Sequence, residues 1–352
     1  MAYTTIDNPE LYMQCKNYTG TGSAASITLD GDENMSPDLV WTKKRSNTGG
    51  HIINDSVRGS GKHLFANLNN AEATYAQFLT SFDTDGFAVG NDAEINQSSQ
   101  TYTAWCWKAG GSASTNDTGS IDSSVSANTT AGFSVLTWTA NNTAGATVGH
   151  GLSSAPKMVI VKNRTSTYNW TIHHQKLTDA SYVLIFTTAA QSASTAQFND
   201  TAPSSSVITL GAEGNTNSAS GNSMVAYAFS EVQGYSKFGS YTGNGSTTLN
   251  FVHLGFKPAW LMIKNTAATQ PWLVFNNKSF PFNGPVRYSH PNTNAAEGGY
   301  DGSFTDYIDL LSNGFCLTDN SAYINSSGVK YIYAAFAEAP FVNSNGVPNN
   351  AR

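Results

Sequence analysis

The sequence predicts an all-β protein of three tandem antiparallel β-sandwich repeats, jelly-roll-like in character. Three observations predict it. A phrase that opens on proline, runs through strand formers and closes on a lysine six places later occurs three times. The copies are residues 37–43 (PDLVWTK), 156–162 (PKMVIVK) and 258–264 (PAWLMIK). Self-similarity at this period marks a repeat architecture. Charged residues make up only 12% of the chain and aromatics another 12%, which suits a hydroxyl-rich, aromatic-cored fold rather than a disordered one. No apolar period of 3.6 residues runs long enough for a substantial helix, whereas turn signals recur at short intervals.

Residues 1–17 read as an N-terminal leader. The first repeat (residues 18–108) opens on YTGTG at 18–22, the second (132–234) on WTANN at 138–142, and the third (235–340) on YTGNG at 241–245. An aromatic strand end followed by a Gly/Asn turn signals a hairpin. The return strands fall at residues 26–29, 146–148 and 247–251. The proline-to-lysine strand follows. Proline is tolerated at its start because it removes no ladder hydrogen bond there. The nearly continuous apolar run predicts a central strand covered on both faces. Lys43, Lys162 and Lys264 then mark its solvated end. Ala-rich stretches at 71–76 and 189–196 suit short helical turns. Asp85-Gly86 and Asn313-Gly314 are hairpin turns that ask for positive φ. Each repeat closes on a strand, at residues 102–107 (YTAWCW), 224–229 (MVAYAF) and 331–336 (YIYAAF). Cys106, Ala228 and Ala335 share a column there, so Cys106 reads as a packing residue. Residues 109–131 carry no aromatic and read as a Gly/Ser/Thr-rich linker. Residues 341–352 are a C-terminal tail, mobile or docked on a neighbour.

Bulk properties exclude several functions. The net charge of -6 and the lack of a Lys/Arg cluster longer than 43–45 argue against nucleic acid. No apolar run approaches the ~20 residues of a membrane helix, and the start MAYTTIDNPELYMQC is no signal peptide. Cys15, Cys106 and Cys316 are odd in number and far apart, which fits reduced thiols and assembly in a cytoplasm.

The candidate sites are few. His173 and His174 are adjacent and so point to opposite faces of a strand. His150 and His253 precede the proline strand and suit loop hydrogen bonds. Asp30-Gly31-Asp32-Glu33-Asn34 concentrates oxygen ligands as a Ca²⁺ site does, without EF-hand spacing; a polar turn is the simpler reading. Residues 58–63 (RGSGKH) resemble a phosphate loop but lack its first glycine and its Ser/Thr. No nucleophile elbow and no recurring acidic pair occurs, so no catalytic residue, metal or cofactor is assigned. Trp170 and Trp272, each eight residues after a repeat lysine, are candidates for a glycan-binding face; a core column explains them equally.

Several blocks carry a family likeness. MAYTTIDNP…YTGTG, PDLVWTKKR, LTSFDTDGFAVG, TYTAWCWKAGG and AFAEAPFVNSNGVPNNAR resemble a repeated β-domain found in tailed phages of marine bacteria, the cyanophage type above all, in virion proteins described as tail fibres or fibre-like. The resemblance covers nearly the whole chain. It implies a non-enzymatic virion structural protein, assembled in the host cytoplasm, that is a tail-fibre or tail-appendage component for host attachment. Its partners would be other virion proteins, further copies of itself (a trimer by analogy with fibre-like relatives) and a host surface glycan. A capsid decoration or adaptor protein, or a carbohydrate-binding module, is the alternative.

Overall fold

The computed structural model describes residues 3–279, 281–283, 287–298 and 307–350. The first unit contains β1 (Met13–Thr19), β2 (Ala25–Ile27), β3 (Leu39–Lys44), β4 (His51–Asp55), β5 (Lys62–Phe65), β6 (Ala73–Thr74), β7 (Leu79–Asp83), β8 (Gly86–Val89) and β9 (Thr101–Trp107). The second contains β10 (Ser114–Asn116), β11 (Ser123–Asn128), β12 (Phe133–Thr139), β13 (Ala146–Gly149), β14 (Met158–Asn163), β15 (Thr171–His174), β16 (Tyr182–Ile185), β17 (Ser192–Ala193), β18 (Val207–Leu210) and β19 (Ser223–Phe229). The third contains β20 (Ser236–Thr242), β21 (Asn250–His253), β22 (Phe256–Asn265), β23 (Leu273–Asn276), β24 (Ile308–Leu311), β25 (Gly314–Leu317) and β26 (Lys330–Pro340). The fold is all-β and sandwich-type. Among the described residues helix is confined to single turns at Pro9–Leu11, Ala93–Asn96 and Thr195–Phe198.

One strand order recurs. The main sheets run β1-β9-β3-β4-β5-β6, β10-β11-β12-β19-β14-β15-β16-β17 and β20-β26-β22-β23. Each is covered on one face by a small sheet: β2-β8-β7, β13-β18 and β21-β25-β24. All named strand pairs are antiparallel.

Side-chain alternation explains why the main strands are apolar throughout. On β3, Leu39 and Trp41 face one way and Val40 the other; on β14, Met158 and Ile160 oppose Val159 and Val161. The closing strands sort by size. Trp105 and Trp107 of β9, and Tyr227 and Phe229 of β19, point away from their own sandwich, while Ala104, Cys106, Ala226 and Ala228 point into it. The large side chains of all three units meet in one shared core. Its centre is an apolar void of about 20 Å³ among Trp41, Trp107, Ile160, Phe229, Trp260 and Phe336, too small to hold much more than one water.

Several expectations are corrected. Residues 109–131 are not a bare linker: β10 and β11 lie within them and extend the second sheet. The leader is shorter than 17 residues, because β1 starts at Met13 and pairs with β9 along its whole length. The chain after β1 does not fold back as a hairpin. β2, β13 and β21 pair instead with β8, β18 and β25 of the opposite layer. Residues 71–76 are extended at β6, and the second Ala-rich stretch is extended at β17 and turns helical only where Thr195–Phe198 begins. The hairpins at Asp85-Gly86 and Asn313-Gly314 are present, but positive φ occurs only at Gly86. What both glycines share is crowding: a Cβ would lie 2.0 Å from the Ile27 carbonyl oxygen at Gly86 and 2.1 Å from that of Val252 at Gly314. The described tail, residues 341–350, docks on its own chain, with the Ser344 backbone N–H donating to Asp7 at 2.7 Å.

Candidate functional site: three joints and one open cleft

The repeat lysines are not solvated. Lys43 is 1% exposed, and Lys162 and Lys264 are 0% exposed. Alternation places each on the same face as the shared-core residues of its strand, and so at a joint between units. Each ammonium donates to a carbonyl six residues on in its own unit and to one in another unit. Lys43 bonds Gly49 O (2.8 Å) and Asn294 O (3.4 Å); Lys162 bonds Tyr168 O (2.5 Å) and Asn69 O (3.0 Å); Lys264 bonds Gln270 O (2.7 Å) and Thr188 O (3.0 Å). The first unit therefore reaches the third, the second reaches the first, and the third reaches the second. The three units close into a pseudo-threefold ring. Desolvation pushes the three ammonium groups down to about 8.

Other columns repeat the circuit. The Glu72, Gln191 and Glu297 backbone N–H groups donate to the carbonyls of Arg164, Thr266 and Arg45 at 2.7, 3.0 and 2.9 Å. At two of these joints a salt bridge is added, Arg164–Glu72 and Arg45–Glu297. Glu72 also meets Arg58, which sits fully buried against Asp55, while Tyr227 Oη of the second unit donates to Asp55 at 2.7 Å. Two cations and two carboxylates thus balance across the first joint. Burial would raise the Glu72 carboxyl, but Arg164 and Arg58 outweigh it and hold the carboxyl below its usual range.

Trp170 and Trp272 stand in the same scheme and form no glycan face. Both are 1% exposed. Their indole N–H groups donate to Phe65 O (2.8 Å) and Ile185 O (3.0 Å) of the preceding unit. His51 occupies the equivalent place in the first unit. Its Nδ1 accepts from Trp41 Nε1 at 3.0 Å, which leaves Nε2 as the N–H facing the His290 backbone.

The remaining candidates are also absorbed. His173 and His174 do point to opposite faces: His173 packs on Phe198 and His174 Nε2 meets Tyr333 O of the third unit at 3.1 Å. His150 makes the expected loop bond, to Ser204 O. Burial pushes His173 down to about 4 and His174 to about 3. All three cysteines are buried thiols, and burial pushes the Cys106 thiol up. Asp30 is engaged by Lys16. Among the described residues no three His, Cys, Asp or Glu side chains gather as metal ligands. No described helix is long and apolar enough to cross a membrane.

One region stands apart from this pattern. Between the second and third units a cleft of about 640 Å³ runs along β20, lined by Lys157, Lys176, Lys237, Phe251, His253 and Tyr333 among others. A second cleft of about 550 Å³, bordered by Tyr3 and Phe341, shares Glu231, Lys237 and His253 with it. Glu231 is the one carboxylate in either lining. His253 is the one exposed histidine of the seven, and Tyr3, Phe251 and Phe341 are 60, 48 and 36% exposed. Sequence reasoning passed over this cleft. The signal was there in departures from the repeat: strand register aligns Gln14, Ser134 and Lys237, and Asp38, Lys157 and Ala259 each follow the repeat proline. In both columns the lysine appears once, and both lysines face this cleft.

A comparison with curated proteins finds no match. The family model for a domain of unknown function, DUF7483, matches residues 8–340, a span that takes in all three units and the joint that closes them. The chain belongs to the DUF7483 family.

Proposed function

We propose that the chain is a structural component of a phage particle: a non-enzymatic tail-fibre or tail-appendage module that presents its outer loops and one cleft to other virion proteins or to the host surface. The observation that carries this reading is the use made of reactive side chains. The buried lysines, His174 and the arginine–carboxylate cluster bond to backbone or to one another across the joints. Groups spent in this way lock a scaffold, which supports a structural role over a catalytic one. The family likeness of the repeated blocks supports the same reading. A three-fold arrangement is already met within one chain, so the proposed particle component does not need to trimerise to obtain it. The test is mass spectrometry and antibody labelling of purified phage particles: the protein should be found in stoichiometric amount at one position. Its absence from the particle overturns the proposal.

A further inference from the structure

Only the second unit covers the open side of its sandwich with added strands; among the described residues β1 and β20 each end their sheet. In the second unit β11 pairs with β12, Ser124 opposite Thr137 and Ser126 opposite Val135. The same segment reaches the small sheet, where Ser123 Oγ donates to Gly149 O at 2.8 Å. The equivalent strand of the third unit is β20, with Phe238 in the place of Val135 and Ser240 in the place of Thr137. β20 has β26 on one side and no strand on the other among the described residues.

Two side chains stand in for the missing strand. Phe238 N–H donates to Glu231 Oε2 at 3.2 Å, and Phe238 O accepts from Gln175 Nε2 at 2.6 Å. Both Glu231 and Gln175 are exposed. The N–H and C=O of one residue point the same way in an antiparallel strand, so the Ser240 groups, two positions on, also face the cleft. A bare edge of this kind pairs with an added strand unless something blocks it. Lysines on an edge strand act as such guards, but Lys237, the one lysine on β20, is tied to His253 O at 2.8 Å, and Lys157 and Lys176 belong to the second unit and face β20 across the gap. They add positive charge where an incoming chain would lie, in a protein of net charge -6.

We infer that the β20 edge is a docking site for an extended, acidic segment of a partner protein, which pairs antiparallel with Phe238 and Ser240 as β11 pairs with β12. The backbone ladder supplies the binding and the lysines select acidic side chains. The chain contains a template for that occupant. Residues 114–128 (STNDTGSIDSSVSAN) are small and hydroxyl-rich and carry Asp117 and Asp122 with no basic residue. The inference concerns a partner of this surface and does not rest on the phage assignment.

The test uses the full chain and a fluorescein-labelled synthetic peptide of residues 114–128, read by fluorescence polarisation and amide hydrogen exchange. Saturable binding that slows exchange at residues 236–242 is expected. Lys157→Glu with Lys176→Glu, both at the surface, should weaken it about tenfold, and raised salt should do the same. Glu231→Ala should tighten it, since that carboxylate competes for Phe238 N–H; an edge that is merely capped would show no gain. A peptide with proline at the position of Ser124 should bind poorly. No binding by the native chain at millimolar peptide, protection elsewhere, or equal affinity for a scrambled peptide would overturn the inference. So would preference for a uronate-bearing oligosaccharide over the peptide.

Discussion

Lys162 bonds Asn69 O and Tyr168 O from a fully buried position. Replacing it with methionine removes a desolvated charge but leaves two buried carbonyls unpaired, at about 1–3 kcal/mol each. The expected net loss for Lys162→Met is about 2 kcal/mol, read as a lower denaturant midpoint. Trp170→Phe, which gives up the bond to Phe65 O and part of a ring packed on Phe186 and Tyr227, should cost about 2 kcal/mol. The pH dependence follows from the same burial. The folded ammonium groups sit near 8 against 10.5 when exposed. The unfolded chain therefore holds more protons across that interval, and stability climbs as pH rises through it. Buried Tyr18 and Tyr227 are raised above 10.0, so their contribution is present below pH 10 and lost above it. On the acid side, His173 and His174, depressed to about 4 and about 3 from 6.5, stay neutral in the fold. Stability present above pH 6.5 is lost as pH falls toward those values. Melting temperature against pH should thus rise from pH 5 to 7, rise again between 8 and 10, and fall beyond; a flat alkaline limb would contradict the lysine assignment. The lysine column was legible in the sequence, but its environment was not. Local reading sees the strand and its end, while one of the two carbonyls that hold each ammonium comes from another unit, up to 251 residues away.

β11 shows the same limit for an element. Its sequence, SSVSAN, has one clearly apolar residue, Val125, and nothing in it outweighs a Gly/Ser/Thr-rich setting. What makes it a strand is the free edge of β12, a tertiary cause that composition does not register. The proline-to-lysine strands were read as central and doubly covered, because apolar residues in succession leave no face for water. Which body covers the second face was not readable, since that body is the other two units. Deleting residues 114–128 should uncover the edge of β12. The expected outcome is concentration-dependent association, seen as a shift to larger species by light scattering, with the remaining fold kept. A variant that stays monomeric at every concentration would show that β11 does not guard that edge.

Across the molecule, the shared core sets the folding unit. Trp41 and Trp107, Ile160 and Phe229, and Trp260 and Phe336 come from three units and meet at one centre. A single unit taken alone would expose one face of its main sheet, including Tyr227 and Phe229 in the second. Calorimetry should therefore give one cooperative unfolding transition for the whole chain, and residues 132–234 expressed alone should fail to fold. Three separate transitions would refute the shared-core account. The three-unit pattern was visible in the sequence as repeated words. The closure into a ring was not, because the third joint links residues near 45 with residues near 297 and leaves no contiguous trace. Closure also bears on stoichiometry. An assembly of three identical chains must repeat any feature of its surface three times or lack it. Here the three positions are separately encoded, and only β20 among the strands equivalent to it has both lysine columns beside it and a stand-in pair at its edge. A partner seated there binds once per molecule and in one orientation, which gives a near-symmetric body a direction.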